Sequence, residues 1–396
     1  MRYSSWKNAT LKEKTVIVRS ALDVRLENGK PGVNEKFRQA AHSIQTLLNE
    51  KPKLVILAHQ GHDEKEATTL KEHAVLLSTL TGKKVGFASW SEDWKQKVQS
   101  LRAGEALLME NVRMLKEEKA KVSAEEHANA PFVKELSPLA DCFIQDDFTT
   151  CHRAHASMVG FAKRLPSYLG PCAEREVNAL EKASNAPKPR LLIVGGAKAE
   201  DSLEVLKHML ENKKVDRVLC GGVIGELFQR AQGISFGGKD EYLDAFMKSE
   251  NMQEPLREAL NQFGERIVLP TDFAFSHGHR HNVSLGELPA MESVMDIGEQ
   301  TQQMFAKEIA KAGSVFWNGP MGKFEEKEFQ QGTKSVMKAI EESKAFSVVG
   351  GGDTTKAIEK LGGNKQRYGH VSIAGGALLD YLAGKKMPGL EALAKT

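Results

Sequence analysis

The stretch RLLIVGGAK (190–198) joins a short apolar run to a glycine turn, and a segment with helical periodicity follows it. The pattern recurs in the first half as TVIVRSALDV (15–24), LVILAHQG (54–61), KVGFAS (84–89), EALLMENV (105–112) and CFIQDDF (142–148). In the second half it recurs as RVLCGGV (217–223), RIVLPTDFAF (266–275), SVFWNGPMG (314–322), FSVVGGGDT (346–354) and HVSIAGGA (370–377). Runs this apolar on both faces are typical of strands buried in a parallel sheet between helices. The sequence therefore predicts an α/β protein with two doubly wound parallel sheets.

The length of 396 residues predicts two domains, because single cores stop growing at roughly 250–300 residues. The stretch LGPCAEREVNALEKASNAPKP (169–189) predicts one connecting helix that ends in a segment rich in Pro and Asn. We therefore expect an N-terminal domain at 1–170 and a C-terminal domain at 171–379. The final segment MPGLEALAKT (387–396) is predicted to be an extended tail broken by proline.

The charges nearly cancel, with 55 Lys and Arg against 52 Asp and Glu. This balance argues against nucleic acid or a membrane surface as the main partner, because both require a concentrated basic excess. The two halves differ, since residues 1–170 hold 26 basic against 21 acidic groups and residues 171–396 hold 29 against 31. The N-terminal stretch is polar and no long apolar run occurs, which predicts a cytoplasmic protein. The four cysteines are scattered, which predicts reduced thiols.

Glycine turns follow five of the predicted strands in the second half. In open α/β sheets such turns lie where phosphates approach backbone N–H groups at the start of a helix. Lys198 lies where an ammonium can reach a phosphoryl oxygen, and Asp353 lies where a carboxylate can either cap its helix or meet a phosphate-bound Mg²⁺. Neither GxxxxGK[ST] nor GxGxxG occurs, which disfavours a Walker-type NTPase and the usual dinucleotide fold.

Basic side chains follow the predicted strands of the first half. They are Arg19, His59, His62, Arg113 and Arg153. Guanidinium groups and imidazoles gathered from several strand ends suit a small, multiply charged anion. The stretch HGHRH (277–281) is a poor metal cage, because its spacing places histidines two residues apart in a polar loop with Arg280 between them.

Several segments resemble the phosphoglycerate kinase family, in order and over nearly the whole chain. They are HRAHASMVGFA (152–162), GGAKAEDSLEVL (195–206), MDIG (295–298), WNGPMGKFE (317–325), FSVVGGGDT (346–354) and MPGLEAL (387–393). The forms AHQGH (58–62) and GGAKAEDS are similar to archaeal members. The resemblance implies two Rossmann-like domains joined by a hinge, with a C-terminal segment (380–396) that folds back onto the first domain. It also implies a monomeric enzyme that transfers a phosphoryl group between ATP and 3-phosphoglycerate with Mg²⁺.

The resemblance also implies roles for individual residues. The catalytic positions are Lys36, Lys198, Gly375 and Gly376. The positions for 3-phosphoglycerate are Arg19, Asp23, His59, His62, Arg113 and Arg153. The nucleotide positions are Gly196, Ala197, Lys198, Gly221, Gly222, Asn318, Pro320, Glu325, Gly351, Gly352, Asp353 and Thr354, of which Asp353 meets the Mg²⁺.

The chain departs from the family pattern mainly on the acceptor side. Ala21 stands where the family has a substrate-binding Asp, and Asp23 stands where it has an Asn. Lys36 replaces the family's catalytic Arg, and His62 replaces a further basic residue. Lysine lacks the planar fork of arginine, and histidine is only partly charged near pH 7. If an anionic substrate group lies 4 Å from the Asp23 carboxylate, the repulsion between the two like charges costs about 1–4 kcal/mol. On the nucleotide side, Ser202 falls where Lys is frequent, and Ile373-Ala374 precedes the last glycine pair.

Three hypotheses follow from this asymmetry. The first is a divergent phosphoglycerate kinase in which other groups compensate. The second is a kinase of the same fold that acts on another carboxylate or phosphorylated acid, since an altered acceptor side with a preserved donor side is what a change of specificity produces. The third is a nucleotide-binding homologue with little kinase activity, which the retention of Lys198 and Asp353 disfavours.

Overall fold

The computed structural model describes residues 3–61, 66–276 and 278–394, and the chain divides into two compact units. Unit 1 comprises the described residues of 1–177 and 385–396, and unit 2 comprises residues 178–384. The domain limits predicted from sequence, after residues 170 and 379, stay a prediction. His62 and His277 lie outside the described residues.

Unit 1 is built mainly on a six-stranded sheet. Its six strands are β1 (Thr15–Arg19), β4 (Lys53–Leu57), β5 (Val85–Ala88), β6 (Ala106–Met109), β7 (Cys142–Gln145) and β8 (Ser167–Leu169). Two further strands, β2 (Leu26–Glu27) and β3 (Lys30–Pro31), form a separate antiparallel pair. Its helices are α1 (Glu35–Asn49), α2 (Lys71–Thr81), α3 (Trp94–Gln99), α4 (Ala124–His127) and α5 (Pro131–Leu136), and α6 (Pro171–Ser184) starts in it. The predicted connecting helix is thereby confirmed.

The sheet of unit 1 is parallel throughout, in the order β5-β6-β4-β1-β7-β8. Residues 16–19 of β1 are all buried, so both faces of the sheet are covered. The strand order changes direction between β1 and β7, and ligands of open α/β sheets bind outside the carboxyl ends of strands at such a point. The short strand β8 was not predicted, because three residues carry little pattern.

Helix α1 begins beside this sheet edge. The Asn34 side chain accepts a hydrogen bond from Phe37 N at 3.0 Å and caps the helix. Phe37, Ile44 and Leu48 lie on its buried face, at helical spacing. Lys36 therefore occupies the first turn and is half-buried.

Unit 2 combines a second parallel sheet with a smaller antiparallel one. Its strands are β9 (Arg190–Val194), β10 (Arg217–Cys220), β11 (Ile267–Val268), β12 (Asp272–Ser276), β13 (Arg280–Ser284), β14 (Val294–Ile297), β15 (Ser314–Asn318), β16 (Phe346–Gly350) and β17 (His370–Val371). Its helices are α7 (Ala199–Glu211), α8 (Gly222–Ala231), α9 (Asp240–Ser249), α10 (Gln253–Phe263), α11 (Glu299–Ala310), α12 (Gln331–Glu342), α13 (Gly352–Lys360) and α14 (Gly376–Leu382).

The parallel sheet of unit 2 has the order β11-β10-β9-β15-β16-β17. Counted along the chain, its strands run 3-2-1-4-5-6, the order of dinucleotide-binding folds, with the reversal between β9 and β15. The predicted fold class, α/β with two doubly wound parallel sheets, is confirmed in both units.

Two local predictions for unit 2 were wrong. RIVLPTDFAF is not one strand, because Pro270 separates β11 in the parallel sheet from β12 in the antiparallel sheet β13-β12-β14. Arg280 and His281 do not lie in a loop but in β13, where Arg280 Nη1 pairs with Asp296 Oδ2 at 2.8 Å.

The C-terminal segment is not extended. It forms α15 (Pro388–Glu391), with proline at the first turn, where its missing N–H is tolerated. Gly389 N donates to Cys151 O at 2.9 Å, and Leu390 is fully buried. These contacts place the described part of the segment, 385–394, in unit 1. Among the described residues, no helix combines the length and the apolar character that crossing a membrane requires.

Candidate active site

One cavity of about 270 Å³ opens at the carboxyl ends of the unit 2 strands. Six of the predicted nucleotide residues line it, namely Gly196, Ala197, Gly222, Pro320, Glu325 and Asp353. Sequence reasoning missed the rest of the lining, which is Val223, Glu226, Lys239, Val294, Met295, Gly322, Lys323 and Phe324. The lining therefore combines glycine turns and apolar residues with five charged residues, Glu226, Lys239, Lys323, Glu325 and Asp353.

Backbone hydrogen bonds join three of the glycine turns around the cavity. Gly196 N donates to Pro320 O at 2.7 Å, and Val223 N donates to Gly196 O at 3.0 Å. Gly222 has φ +53°, and a Cβ there would lie 2.6 Å from Gly196 N. Glycine is required at this position because the two turns approach too closely for a side chain.

Asn318 and Thr354 hold the turns together and do not line the cavity. Asn318 Nδ2 donates to Gly350 O at 2.9 Å, and the buried Thr354 Oγ1 accepts from Gly319 N at 2.7 Å. Gly351 has φ +93°, and a Cβ there would collide with the Asn318 amide. The polar side chains of these two turns are thus engaged within the protein.

Lys198 and Asp353 are the exposed charged groups of the glycine turns. Lys198 immediately precedes α7, and its ammonium has no partner in the part of the chain that the structure describes. Asp353 lies in the first turn of α13, and its carboxylate pairs with Lys356 at 3.3 Å. A helix N-terminus carries partial positive charge, so both helices favour an anion at these ends.

The other predicted nucleotide positions lie outside the cavity lining. Gly221 precedes α8, Gly352 begins α13, and Gly375 and Gly376 mark the start of α14. Gly375 has φ +56°, and neither residue of this last pair has an atom in the way of an added Cβ.

In unit 1, the guanidinium of Arg19 is completely buried at the end of β1. Nε donates to Ser157 Oγ at 2.9 Å, and Nη1 donates to Ser20 O at 2.7 Å and to Asp147 Oδ2 at 3.0 Å. Nη2 lies 2.7 Å from His59 Nδ1. Every nitrogen of this side chain thus has a protein partner.

His59 is a neutral imidazole at the end of β4. Burial lowers its pKa well below the usual value, and the charges of Arg19 and Arg113 lower it further. Arginine has no acceptor, so Nδ1 of His59 must accept and Nε2 carries the proton. Nε2 faces the Asp23 carboxylate, with Oδ2 at 3.8 Å. His59 therefore offers a hydrogen bond rather than a charge.

Further basic groups surround His59. Arg113 is buried after β6, and its pKa is lowered by burial and by the charge of Arg19. The charge of Lys36 lowers the pKa of both His59 and Asp147, so Lys36 acts on the same group of side chains. Arg153 is exposed and donates from Nε to His152 Nε2 at 3.0 Å.

A buried glutamate, which sequence reasoning missed, lies beneath the cluster. Glu118 Oε1 accepts from Ser157 Oγ at 2.6 Å, and Oε2 accepts from Ser157 N at 2.8 Å. Burial raises the pKa of Glu118 to about 7, although the charge of Arg19 opposes the shift. His155 Nδ1 lies 3.9 Å from Glu118 Oε1, and burial lowers the pKa of His155 to about 3.

The two aspartates after β7 were also missed as functional residues, although a charged pair at a strand end is a visible signal. Burial alone would raise the pKa of Asp147, but the charges of Arg19 and Lys36 lower it overall. Asp146 Oδ1 accepts from Cys172 N at 2.6 Å and so holds the start of α6. Ala21, where the family pattern has Asp, is buried and adds no polar group.

The family model for phosphoglycerate kinase matches residues 6–385. The chain belongs to the phosphoglycerate kinase family. The phosphoglycerate kinase of Methanopyrus kandleri is 37% identical over 395 residues, covering 98% of this chain and 97% of the relative. That of Thermococcus kodakarensis is 37% identical over 396 residues, covering 97% and 95%.

Solved phosphoglycerate kinase structures have the same fold. The crystal structure from Pyrococcus horikoshii OT3 has a TM-score of 0.86 at 34% identity and covers 98% of both chains. The structure from Coxiella burnetii has a TM-score of 0.85 at 33% identity and covers 99% of this chain and 100% of that one.

Members of the phosphoglycerate kinase family use ATP and ADP, generally with Mg²⁺. Asp353 fits that use, because Mg²⁺ is usually held by one or two carboxylates together with phosphate oxygens rather than by an all-protein cage. Its side chain is 68% exposed and lines the cavity beside the glycine turns. The residues present therefore suit a cation that arrives with a nucleotide.

Proposed function

We propose that the chain catalyses reversible phosphoryl transfer between ATP and the carboxylate of 3-phosphoglycerate, giving ADP and 1,3-bisphosphoglycerate. The observation that carries this proposal is the cavity of unit 2, where glycine turns, an apolar wall and the Asp353 carboxylate meet. An apolar pocket with a few convergent polar groups at strand ends is the usual form of a nucleotide site.

The nucleotide phosphates would lie against the glycine turns of unit 2. Backbone N–H groups of Gly196, Ala197, Gly351 and Gly352 would approach them, since no side chain intervenes at the glycines. Lys198 would neutralise charge on the transferring group, helped by Gly375 and Gly376. Gly221, Gly222, Asn318 and Pro320 would flank the nucleoside, with Glu325 on the ribose. Thr354 would act by holding the turn.

Mg²⁺ would be held by Asp353 together with the nucleotide. When bound, the cation neutralises charge on the phosphate oxygens. The role of Asp353 is to orient that cation at the start of α13. The ion pair between Lys356 and the Asp353 carboxylate would have to break to allow this.

The phosphate and carboxylate of the acceptor would meet the basic groups of unit 1. The groups that support this assignment are Lys36, Arg113, Arg153 and His59, whose neutral imidazole donates a hydrogen bond from Nε2. His62 is proposed to join them. Arg19 has all its nitrogens occupied, so we assign it the positioning of His59 and Asp147 rather than direct contact.

The chemical step needs positioning and charge neutralisation more than acid–base chemistry. A carboxylate oxygen of the acid attacks the γ-phosphorus of ATP, a new O–P bond forms, and the bond to the β-phosphate oxygen breaks to release ADP. The attacking carboxylate is already ionised at pH 7, so no general base is required. Lys36 and Lys198 would stabilise the charge that spreads over the equatorial oxygens.

A related acid is the second candidate acceptor, and Asp23 is the observation that favours it. Its carboxylate faces His59 Nε2 and accepts from Gly61 N at 3.1 Å, so it lies among the groups that would hold the anion. A fixed negative charge there disfavours the most highly charged acids.

Domain limits at residues 170 and 379, a monomeric state and a cytoplasmic location complete the proposal. The near-neutral total charge supports small molecules rather than nucleic acid as partners.

A coupled assay with ATP, Mg²⁺ and 3-phosphoglycerate tests the proposal. Turnover at rates ordinary for a kinase, about 1–100 s⁻¹, is expected. Absence of turnover together with MgATP binding by calorimetry would reject it. A panel of other phosphorylated acids would then separate an altered acceptor from a nucleotide-binding homologue.

A further inference from the structure

Two ionisable side chains face the nucleotide cavity without a part in the proposed function. Glu226 lies on α8, one turn beyond Gly222, and is 5% exposed. Lys239 immediately precedes α9, and its Nζ lies 2.7 Å from Glu226 Oε2. Lys239 Nζ also donates to Val294 O on β14 at 3.2 Å. The pair thus joins three elements of the cavity wall.

The carboxylate of Glu226 is only partly satisfied. Burying an ionised carboxylate is costly unless it is paired and hydrogen-bonded. Burial raises the pKa of Glu226, and the charge of Lys239 works against that shift. Oε2 is buried and, although Lys239 Nζ lies 2.7 Å away, forms no hydrogen bond of regular geometry, and Oε1 accepts none from the described residues. A nearly buried acceptor with unused capacity therefore faces the cavity.

Apolar residues line the cavity together with the pair. They are Val223, Val294, Met295 and Phe324, and their side chains suit a planar ring. Val223 lies on α8 with Glu226, and the Val294 carbonyl holds Lys239, so these two apolar residues lie beside the pair. The glycine turns and Asp353 line the same cavity and suit phosphates.

We propose that Glu226 accepts a hydrogen bond from the exocyclic amino group of adenine and that Lys239 positions the carboxylate for it. The inference rests on the proposed function, since it places ATP in this cavity. The amino group at position 6 of adenine is a donor, whereas the carbonyl at the same position of guanine and hypoxanthine is an acceptor. A carboxylate attracts the first and repels the second. Glu226 is thus a specificity-determining residue.

The test compares ATP, inosine triphosphate and purine riboside triphosphate, which carry an amino group, a carbonyl oxygen and a hydrogen at position 6. For the wild type, kcat/KM for ATP is expected to exceed that for each of the other two by about tenfold or more, the usual value of a hydrogen bond to a charged group. The difference should lie in KM, because the base does not take part in the chemical step.

Two variants separate hydrogen bonding from packing. In Glu226→Met the ratio of kcat/KM for ATP to that for inosine triphosphate, and the same ratio for purine riboside triphosphate, should both fall to near one. In Glu226→Gln the amide accepts from an amino group or donates to a carbonyl, so the preference over inosine triphosphate should fall while that over purine riboside triphosphate persists. Val294→Ala is the control, and it should raise KM for the three nucleotides by the same factor.

The inference is overturned if the wild type uses the three nucleotides equally or if its preference survives in Glu226→Met. A wild type without turnover would instead reject the proposed function. In that case calorimetric binding of the same three nucleotides decides the inference separately, with equal affinities overturning it. Circular dichroism establishes folding of each variant, and Glu226→Gln, which keeps size and shape, decides the matter if the methionine variant does not fold.

Discussion

The Arg19 guanidinium and the Asp147 carboxylate form an ion pair of 3.0 Å in which neither side chain is exposed to solvent. Arg19 ends β1 and Asp147 follows the adjacent strand β7, at the point where the strand order of unit 1 changes direction. Arg19 also orients His59, so the pair connects the framework of the sheet to the group that is proposed to bind the acceptor.

Breaking this pair should destabilise unit 1 strongly. Asp147→Asn leaves the Arg19 charge buried without compensation, and we expect a loss of about 3–5 kcal/mol in the free energy of unfolding. Urea denaturation measures it. The control is Lys95→Ala, which breaks a half-exposed pair with Glu135 and should cost at most about 1 kcal/mol. If the two changes lowered the free energy of unfolding equally, the buried pair would not stabilise the protein more than a half-exposed one.

Lys36→Ala should reduce turnover far more than it weakens ATP binding. The lysine acts on the unit 1 cluster, so its loss removes charge neutralisation at the acceptor and leaves the unit 2 cavity intact; a fall in kcat on the order of 10² is expected. Kinetics and ATP calorimetry measure the two effects. Lys12→Ala, at an exposed lysine, is the control. Unchanged activity in Lys36→Ala would show that this residue does not take the place of the family's arginine.

Lys198→Ala should abolish most of the activity while MgATP still binds. The ammonium is exposed and unpaired among the described residues, so its removal leaves folding unaffected and deletes transition-state stabilisation on the order of 10²–10³ in kcat. The matched control, Lys214→Ala, changes an exposed lysine three residues beyond the C-terminal end of α7. If kcat stayed within a few-fold of the wild type, the proposed part of Lys198 would be wrong.

Gly222→Ala should impair nucleotide binding and lower stability together. A Cβ would lie 2.6 Å from Gly196 N at a φ of +53°, so two glycine turns would have to separate. Gly286→Ala is the control, because an added Cβ there meets nothing within 4 Å and this exposed residue, in the turn Leu285–Glu287, has no part in the proposed site. Thermal melting and ATP calorimetry should show a large effect for the first change and a small one for the second.

Glu118 should make stability fall as pH rises from about 5 to 7. Burial raises its pKa to about 7, so between its ordinary value and pH 7 the folded state holds a proton that the unfolded state has lost. The stabilising contribution of that protonated form is complete at low pH and disappears as pH rises through 7.

The difference between wild type and Glu118→Gln isolates this contribution. His59 and His155, whose pKa values are lowered, act in the opposite direction below about pH 6.5, but they are present in both proteins. The unfolding free energy of the wild type relative to the variant should fall by up to about 1.4 kcal/mol per pH unit within the window. Parallel pH profiles of the two proteins would refute the raised pKa.

The candidate site was predictable where its residues follow strands. Gly196, Gly222, Pro320 and Asp353 were found because parallel strands place their carboxyl ends at one edge, and a glycine turn after an apolar run is visible in a single sequence. Glu226 and Lys239 were not found, since a glutamate inside a helix and a lysine before the next one have no distinguishing pattern. Their burial and pairing arise from the packing of α8, α9 and β14.

The sequence by itself determined the α/β class, most of the strands, the connecting helix and the family, because each depends on local periodicity and on motifs in a fixed order. Tertiary structure decided which charged side chains are available to a ligand. It buried Arg19 against Asp147 and His59, removed the charge of His59 and left Lys198 free of partners in the described chain. Desolvation and pairing depend on residues far apart in the sequence, so neither is written in the local pattern.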